Sequence, residues 1–439
     1  MSLFFMKVLS LFANVGFGEF YFEKNGFNVV VANELLEDRV EFYKKLHPQV
    51  PSVICGDICK QSIRDKIIKS CLENGPIDLI IATPPCQGMS MANAQKGLKE
   101  DVRNRLIVHA MSIFNKVKPK YMLIENVPQM PKTYISYRKK AVNIIDFIKS
   151  KLPEGFKCIE KNLNGKHYGT PQSRVRSICL ISKGGIWIHP PPLNDLITAE
   201  DAIGHLPSLE SGESSVLPWH FSPKHNPNHI KWMSNTATGD TAFNNTEHYP
   251  QKDGRKIFGF MTTYKRMRWD SPSPTITMTN GSISSQNNVH PGRIKEDGTY
   301  SDARVLTVRE ILVLCGLPED CLDKFSSKNL DNSHSYKENV SFIRKVLGEM
   351  LLPKLALSVL KNLPENLSYS MTEEDDFFIS GPQDYDEQTD AFRFELDDLV
   401  DRYKQEFDIN TFVMIGAFQE KIKELIDAGN IDMGDEMLD

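Results

Sequence analysis

Apolar residues arrive in short continuous runs separated by stretches with helical spacing. Residues 7–13 (KVLSLFA), 27–32, 52–54, 77–82 (IDLIIA), 121–124 and 177–181 read as strands. Between them, 19–25, 35–46, 61–73 and 103–117 carry the period of a helix packed on one side. Strands that alternate with helices build a parallel sheet covered on both faces, and such strands are apolar throughout rather than every second residue. The pattern predicts an α/β domain. It changes near 184: residues 184–300 are rich in Pro, Asn, Ser, Thr and His, with short β-like pieces such as 275–279. Helical periodicity returns at 307–315 and 340–360. Past 364, Leu396, Leu399, Val400, Tyr403 and Phe407, then Ile415, Phe418, Ile422, Leu425 and Ile426, mark two amphipathic helices after the acidic loop Glu373-Glu374-Asp375-Asp376.

Composition narrows this picture. With 439 residues, 40% of them hydrophobic and 9% aromatic, the chain has ample material for packed cores, which excludes wholesale disorder. No run approaches the roughly 18 apolar residues of a membrane-spanning helix. The opening MSLFFMK lacks the basic region and cleavage site of a signal peptide, so a reducing, cytoplasmic setting is expected. The eight cysteines contain no CxxC, which argues against a disulfide framework or a zinc ribbon. Net charge is −5, but it is partitioned: 364–439 holds 22 acidic and 5 basic residues (−17), and 1–363 holds 47 basic and 35 acidic ones (+12). A basic body suits a polyanionic partner, although solvated surfaces would give the same totals.

The candidate chemistry lies at strand ends. The first strand runs into Asn14-Val15-Gly16-Phe17-Gly18, where two glycines let the backbone approach a ligand or simply make a turn. The second ends at Glu34 and the third is followed by Gly56-Asp57-Ile58. Carboxylates at successive strand ends suit an adenosine-containing cofactor, with helix caps as the alternative. The strand 77–82 delivers Thr83-Pro84-Pro85-Cys86-Gln87-Gly88. Two prolines stiffen that loop and hold the thiol where ligands bind, which favours a nucleophile over a buried apolar cysteine. The strand 121–124 delivers Glu125-Asn126-Val127, a carboxyl placed for proton donation. Gln172-Ser173-Arg174-Val175-Arg176 precedes another strand, and arginines two apart on an extended segment face one way, giving a paired cationic site.

In this order and spacing, these residues resemble the DNA (cytosine-5) methyltransferase family of the bacterial restriction–modification type. The resemblance spans about 7–363. It includes Arg304-x-Leu306-Thr307-x-Arg309-Glu310 and the 348–353 segment. Ser10 stands where the family usually has Asp, and Asn14 and Phe17 stand where it usually has Gly.

The resemblance implies a Rossmann-like catalytic domain over 1–183, a smaller, loop-rich target-recognition domain over 184–300 and a return to the catalytic domain over 301–363; outside it, charge and periodicity predict an acidic helical extension over 364–439. It assigns catalysis to Cys86, Glu125, Arg174 and Arg176, with Cys86 attacking the pyrimidine and Arg174 holding its carbonyl oxygen. It assigns S-adenosylmethionine to Phe12, Asn14, Gly16, Gly18, Glu34, Asp57, Ile58 and Pro84. Gln87, Ser90, Arg266 and Arg268 are the expected DNA contacts.

Basic residues at 252–268 interleave with Phe258, Phe260, Tyr264 and Trp269, as phosphate and base contacts require, or as a satellite core would. His220, His225 and His229 lack accompanying cysteines, and no metal is expected. Double-stranded DNA is the implied partner of a monomeric enzyme. A cognate restriction endonuclease would act in the same system without stable complex. The competing readings are an RNA cytosine-5 methyltransferase of the same fold, a silent DNA-binding scaffold, and a nicotinamide oxidoreductase. The missing Gly-x-Gly-x-x-Gly loop disfavours the last.

Overall fold

The computed structural model describes residues 5–85, 106–138, 140–257, 259–323, 325 and 336–364, together with 416 and 418–420. Met1–Phe258 and Thr263–Met371 form one compact unit, and Gly259–Thr262 and Thr372–Asp439 form a second. The expected tail helices lie outside the described residues, apart from 416 and 418–420. Among the described residues, no helix is long and apolar enough to cross a membrane.

The elements follow the expected alternation: β1 (Met6–Leu11), β2 (Phe27–Glu34), α1 (Glu37–Leu46), β3 (Ser52–Cys55), α2 (Gln61–Glu73), β4 (Leu79–Ala82), α3 (Leu106–Val117) and β5 (Tyr121–Asn126). A hairpin, β6 (Tyr134–Tyr137) and β7 (Lys140–Asn143), leads into α4 (Ile144–Ser150), and then come β8 (Phe156–Asn164) and β9 (Val175–Lys183). The main sheet has seven strands in the order β3-β2-β1-β4-β5-β9-β8. It is parallel through β5, and β9 runs antiparallel to both β5 and β8.

Strand periodicity explains the two-sided core. Leu79 and Ile81 of β4, and Tyr121 and Leu123 of β5, enter one apolar cluster; Ile80, Ala82, Met122 and Ile124 enter the other. Successive side chains point to opposite faces. The first cluster receives Phe42 and Tyr43 of α1, and the second receives Ile67 of α2, Phe114 of α3 and Phe147 of α4.

The later chain is irregular, as its composition predicts. It contains α5 (Ala199–Ile203), α6 (Pro227–Ser234), the short hairpin β10 (Gln251–Lys252) and β11 (Arg255–Lys256), α7 (Val308–Leu314), α8 (Tyr336–Glu349) and α9 (Pro353–Lys361). The helix expected over 340–360 is two helices, because Pro353 begins a new one at the position where its missing N–H costs nothing. The helix expected over 19–25 is two 3-10 turns, Phe17–Glu19 and Glu23–Asn25, the second ended by Gly26 at φ 86°. Residues 275–279 form no strand. A satellite core of Trp232, Met233, Ala242, Ile283, Val289, Ala303 and Val305 supports the middle region, with Tyr264 packed against it.

The segment before α7 is built on charge. Arg304 is fully buried and bonds both oxygens of Glu310 at 2.9 and 2.8 Å, Asp302 at 2.8 Å and the Leu209 carbonyl at 2.8 Å. Thr307 and Glu310 cap α7 reciprocally. Breaking so buried a pair on one side leaves an uncompensated charge, which is strongly destabilising.

Candidate active site

The strand order reverses between β1 and β4, since β1 lies between β2 and β4. Ligands of open α/β sheets bind outside the carboxyl ends of the strands at such a switch point. Here two loops meet. Phe12 and Asn14 adopt positive φ (60° and 51°), and Gly16 follows at 83°. A Cβ on Gly16 would fall 2.5 Å from the His47 ring, and His47 Nε2 lies 2.9 Å from the Gly16 carbonyl oxygen. Only glycine suits this turn. A Cβ on Gly18 would lie 3.0 Å from Leu351, while Phe17 turns inward against Phe42.

Glu34 ties this loop to its own strand end. Its carboxylate accepts from the Asn14 N–H at 3.0 Å and from the Leu35 and Leu36 N–H groups at 2.9 and 3.1 Å. Asp57 is half-buried and accepts from the Cys59 N–H at 2.9 Å. Ile58 is buried in the core beside Ile67. Glu34 and Asp57 thus lie at successive strand ends, each accepting from N–H groups of the loop that follows rather than capping a helix.

Behind the loop, Glu19 accepts hydrogen bonds from the Ser10 and Tyr43 hydroxyls. Burial pushes its carboxyl from 4.5 up to about 7. A carboxyl group therefore still abuts β1 where position 10 is Ser, a role that sequence spacing did not suggest.

The second loop is anchored on both sides. The Thr83 hydroxyl donates to the Phe12 carbonyl at 3.0 Å, and Asn126 Nδ2 donates to the Pro84 carbonyl at 3.1 Å. Pro84 is buried and Pro85 exposed. Cys86, Gln87 and Ser90 lie outside the described residues. Asn126 thereby links the diproline loop to the end of β5.

Glu125 stands at that end, 7% exposed. Arg176 Nε approaches its carboxylate at 3.0 Å across the β5–β9 pair. Burial raises the Glu125 carboxyl above its ordinary range; Arg176 and, from farther away, Arg174 pull it back.

The two arginine side chains have different surroundings. Arg174 precedes β9 and turns into the protein, where it is 3% exposed. Its Nη1 donates to the Ile276 carbonyl at 2.9 Å, and its Nη2 donates to the carbonyls of Gly348 at 2.9 Å and Met350 at 3.3 Å. The expected hold of Arg174 on a substrate carbonyl is therefore corrected: its guanidinium joins three chain segments. Alternation fails because Arg174 lies in the irregular approach to the strand, where the Asn164 side chain takes its backbone N–H at 3.0 Å.

Arg266 is corrected for the same reason. It is 1% exposed and donates to the carbonyls of Met233, His290 and Asp302. Burial lowers its pKa to about 10. Its charge holds the satellite core and is not presented to DNA. Arg268 is exposed but closes a two-bond pair with Asp270 at 2.8 and 2.5 Å. The three histidines are engaged separately: His220 with Thr307 and Pro207, His225 with the Val305 N–H, and His229 against Trp232 and Tyr264. Among the described residues, no group of three metal-ligating side chains gathers.

The family model for C-5 cytosine-specific DNA methylase matches residues 6–364. This chain belongs to that family. Among curated relatives, the Type II methyltransferase M1.HgaI of Avibacterium volantium is 40% identical over 359 residues, covering 81% of this chain and 97% of that protein. The Type II methyltransferase M1.HphI of Haemophilus parahaemolyticus is 27% identical over 318 residues, covering 72% and 78%. Among solved structures, a candidate DNA modification methyltransferase from an Escherichia coli prophage superposes with a TM-score of 0.56 at 20% identity, covering 83% of this chain and all of that one. The Entamoeba histolytica methyltransferase EhMeth gives 0.54 at 14%, covering 83% and 99%. The two structures bear on the fold alone. In this chain the Glu125–Arg176 contact and the Pro84 loop tied to Asn126 lie at one rim of the sheet.

Proposed function

We propose that this chain transfers the methyl group of S-adenosylmethionine to C5 of a cytosine flipped out of duplex DNA, as the modification enzyme of a restriction–modification system. The observation that carries the reading is the single rim at the switch point. Pro84 is tied to Asn126, Glu125 is held by Arg176, and Gly16 lets the neighbouring turn close tightly against His47. The 40% identity with a Type II methyltransferase, over most of both chains, supports duplex DNA over RNA as substrate.

C5 of cytosine is a weak nucleophile. Cys86, presented by the diproline loop, adds as thiolate to C6 and converts the ring to an enamine. Glu125, whose burial favours its protonated form, donates to N3 and withdraws charge from the ring as the bond forms. Arg176, beside it, serves the pyrimidine's carbonyl oxygen, the task sequence reasoning gave to Arg174. S-adenosylmethionine, held by Phe12, Asn14, Gly16, Gly18, Glu34, Asp57, Ile58 and Pro84, supplies an electrophilic methyl group. A base then removes the C5 proton, and the returning electron pair expels Cys86 as thiolate. Both reacting ring atoms lie inside the stack, so the base must leave it. Gln87 and Ser90 follow Cys86 closely enough to fill the vacated space. Residues 184–300 recognise the target, with Arg268 among their contacts. The enzyme works as a cytoplasmic monomer, and its cognate endonuclease acts on the same DNA without stable association.

The test is transfer of tritiated methyl from S-adenosylmethionine to plasmid duplex and to tRNA in parallel. Label in the duplex alone is expected; label in tRNA alone would favour the RNA enzyme of the same fold.

A further inference from the structure

The β6–β7 hairpin has no part in the chemistry above. Its position follows from the topology. β8 runs parallel to β5, because both are antiparallel to β9. The chain leaving β5 must therefore return across the sheet before β8 begins, and α4 starts that return. The hairpin precedes α4, so it sits at the carboxyl edge of the sheet, on the rim that holds Glu125. It is rooted there: Ile135 is buried in the core, Tyr137 packs edge-on against Phe147 at 4.9 Å, and the Ile144 N–H bonds the Thr133 carbonyl at 3.0 Å.

Its free end is basic. The closing pair is Tyr137 and Lys140, and Arg138 lies in the turn between them. Lys132, Arg138 and Lys140 are exposed, as is Tyr134. From 127 to 157 there are seven basic residues and two acidic ones. Two-residue hairpin turns favour Asn-Gly or Asp-Gly, because their backbone needs positive φ. The β10–β11 hairpin of this same chain obeys that rule with Asp253 at 51° and Gly254 at 74°. Arg138 holds φ 51° without such help. Its guanidinium lies 5.5 Å from the centre of the Tyr137 ring, so the hairpin holds an exposed cation over its own aromatic in a backbone conformation better suited to Asn or Gly.

We propose that the β6–β7 hairpin is a phosphate-binding finger, in which Arg138 and Lys140 contact the backbone of the DNA duplex beside the flipped base. The inference rests on the reading of this protein as a duplex DNA methyltransferase. Each phosphate contact releases counterions, which makes the charge pair measurable through salt dependence. In the variant Arg138→Asn with Lys140→Thr, Asn suits the turn and Thr suits a strand, so the fold is expected to stay intact.

The experiment measures affinity of the full-length enzyme for a fluorescent 40-bp duplex across salt concentrations, together with plasmid methylation kinetics and Tm. In the variant, affinity at 0.1 M salt should fall roughly tenfold or more, and the log–log salt slope should flatten by about 2. KM for DNA should rise with kcat and Tm unchanged. Lys66→Asn with Lys69→Asn, exposed on α2, removes equal charge elsewhere and should change the slope little. If the double variant fails to fold, Arg138→Asn alone should flatten the slope by about 1. An unchanged slope in a folded hairpin variant, or an equal effect from the α2 variant, overturns the proposal. A wild-type protein that binds no duplex overturns the functional reading itself.

Discussion

Replacing Arg174 by Ala should destabilise the folded enzyme rather than merely slow it. The guanidinium meets three carbonyls, of Ile276, Gly348 and Met350, and is 3% exposed. A buried polar group left without its partner costs about 1–3 kcal/mol. Three such losses sum to about 3 kcal/mol at the lower end, a large share of the 5–15 kcal/mol by which proteins of this kind are stable. Arg176→Ala differs, because it removes one contact to Glu125 and leaves the chain crossings intact. Urea unfolding followed by tryptophan fluorescence reports the first effect; Trp187 is fully buried and bonded to the Val359 carbonyl. Methyl transfer at saturating substrate reports the second. Arg174→Ala should lose about 3 kcal/mol or more, and Arg176→Ala should lose roughly a hundredfold in kcat with a smaller stability change. Arg174→Ala within about 1 kcal/mol of wild type, yet without activity, would refute this reasoning and return Arg174 to the substrate.

Two further outcomes follow from the first loop. Glu19 titrates near 7 when folded and near 4.5 when exposed, so between those values the folded state binds the extra proton and stability falls as pH rises. The span corresponds to about 3 kcal/mol. Glu19→Gln should lack that decline and exceed wild type at pH 8, and parallel pH–stability curves for the two would contradict it. Gly16→Ala should abolish binding of S-adenosylhomocysteine by calorimetry, since its Cβ would meet His47 at 2.5 Å at φ 83°; wild-type affinity would show that the turn can shift.

The sheet was legible because strands buried on both faces are apolar at every position, as in Leu79-Ile80-Ile81-Ala82. The rim was legible because polar residues closed those runs at Glu34, Pro84 and Glu125. Direction of side chains was not. Arg174 and Arg176 are two apart, but the strand begins only at Val175, so alternation did not govern Arg174. Arg266 sat among basic and aromatic residues that looked like a DNA surface, while its carbonyl partners at 233, 290 and 302 are distant in sequence. β8 was missed because its outward residues, such as Lys157 and Lys161, break the apolar run of an edge strand. Pro353 did signal the break between α8 and α9, although the apolar periodicity ran across it.

The most direct measurement is bisulfite sequencing of a plasmid from cells expressing the wild-type chain or Cys86→Ala. The expected result is 5-methylcytosine at one position of one sequence context throughout the wild-type plasmid, and none above background with Cys86→Ala. Unmethylated plasmid from cells holding soluble, folded wild-type enzyme, or full methylation by Cys86→Ala, would contradict it.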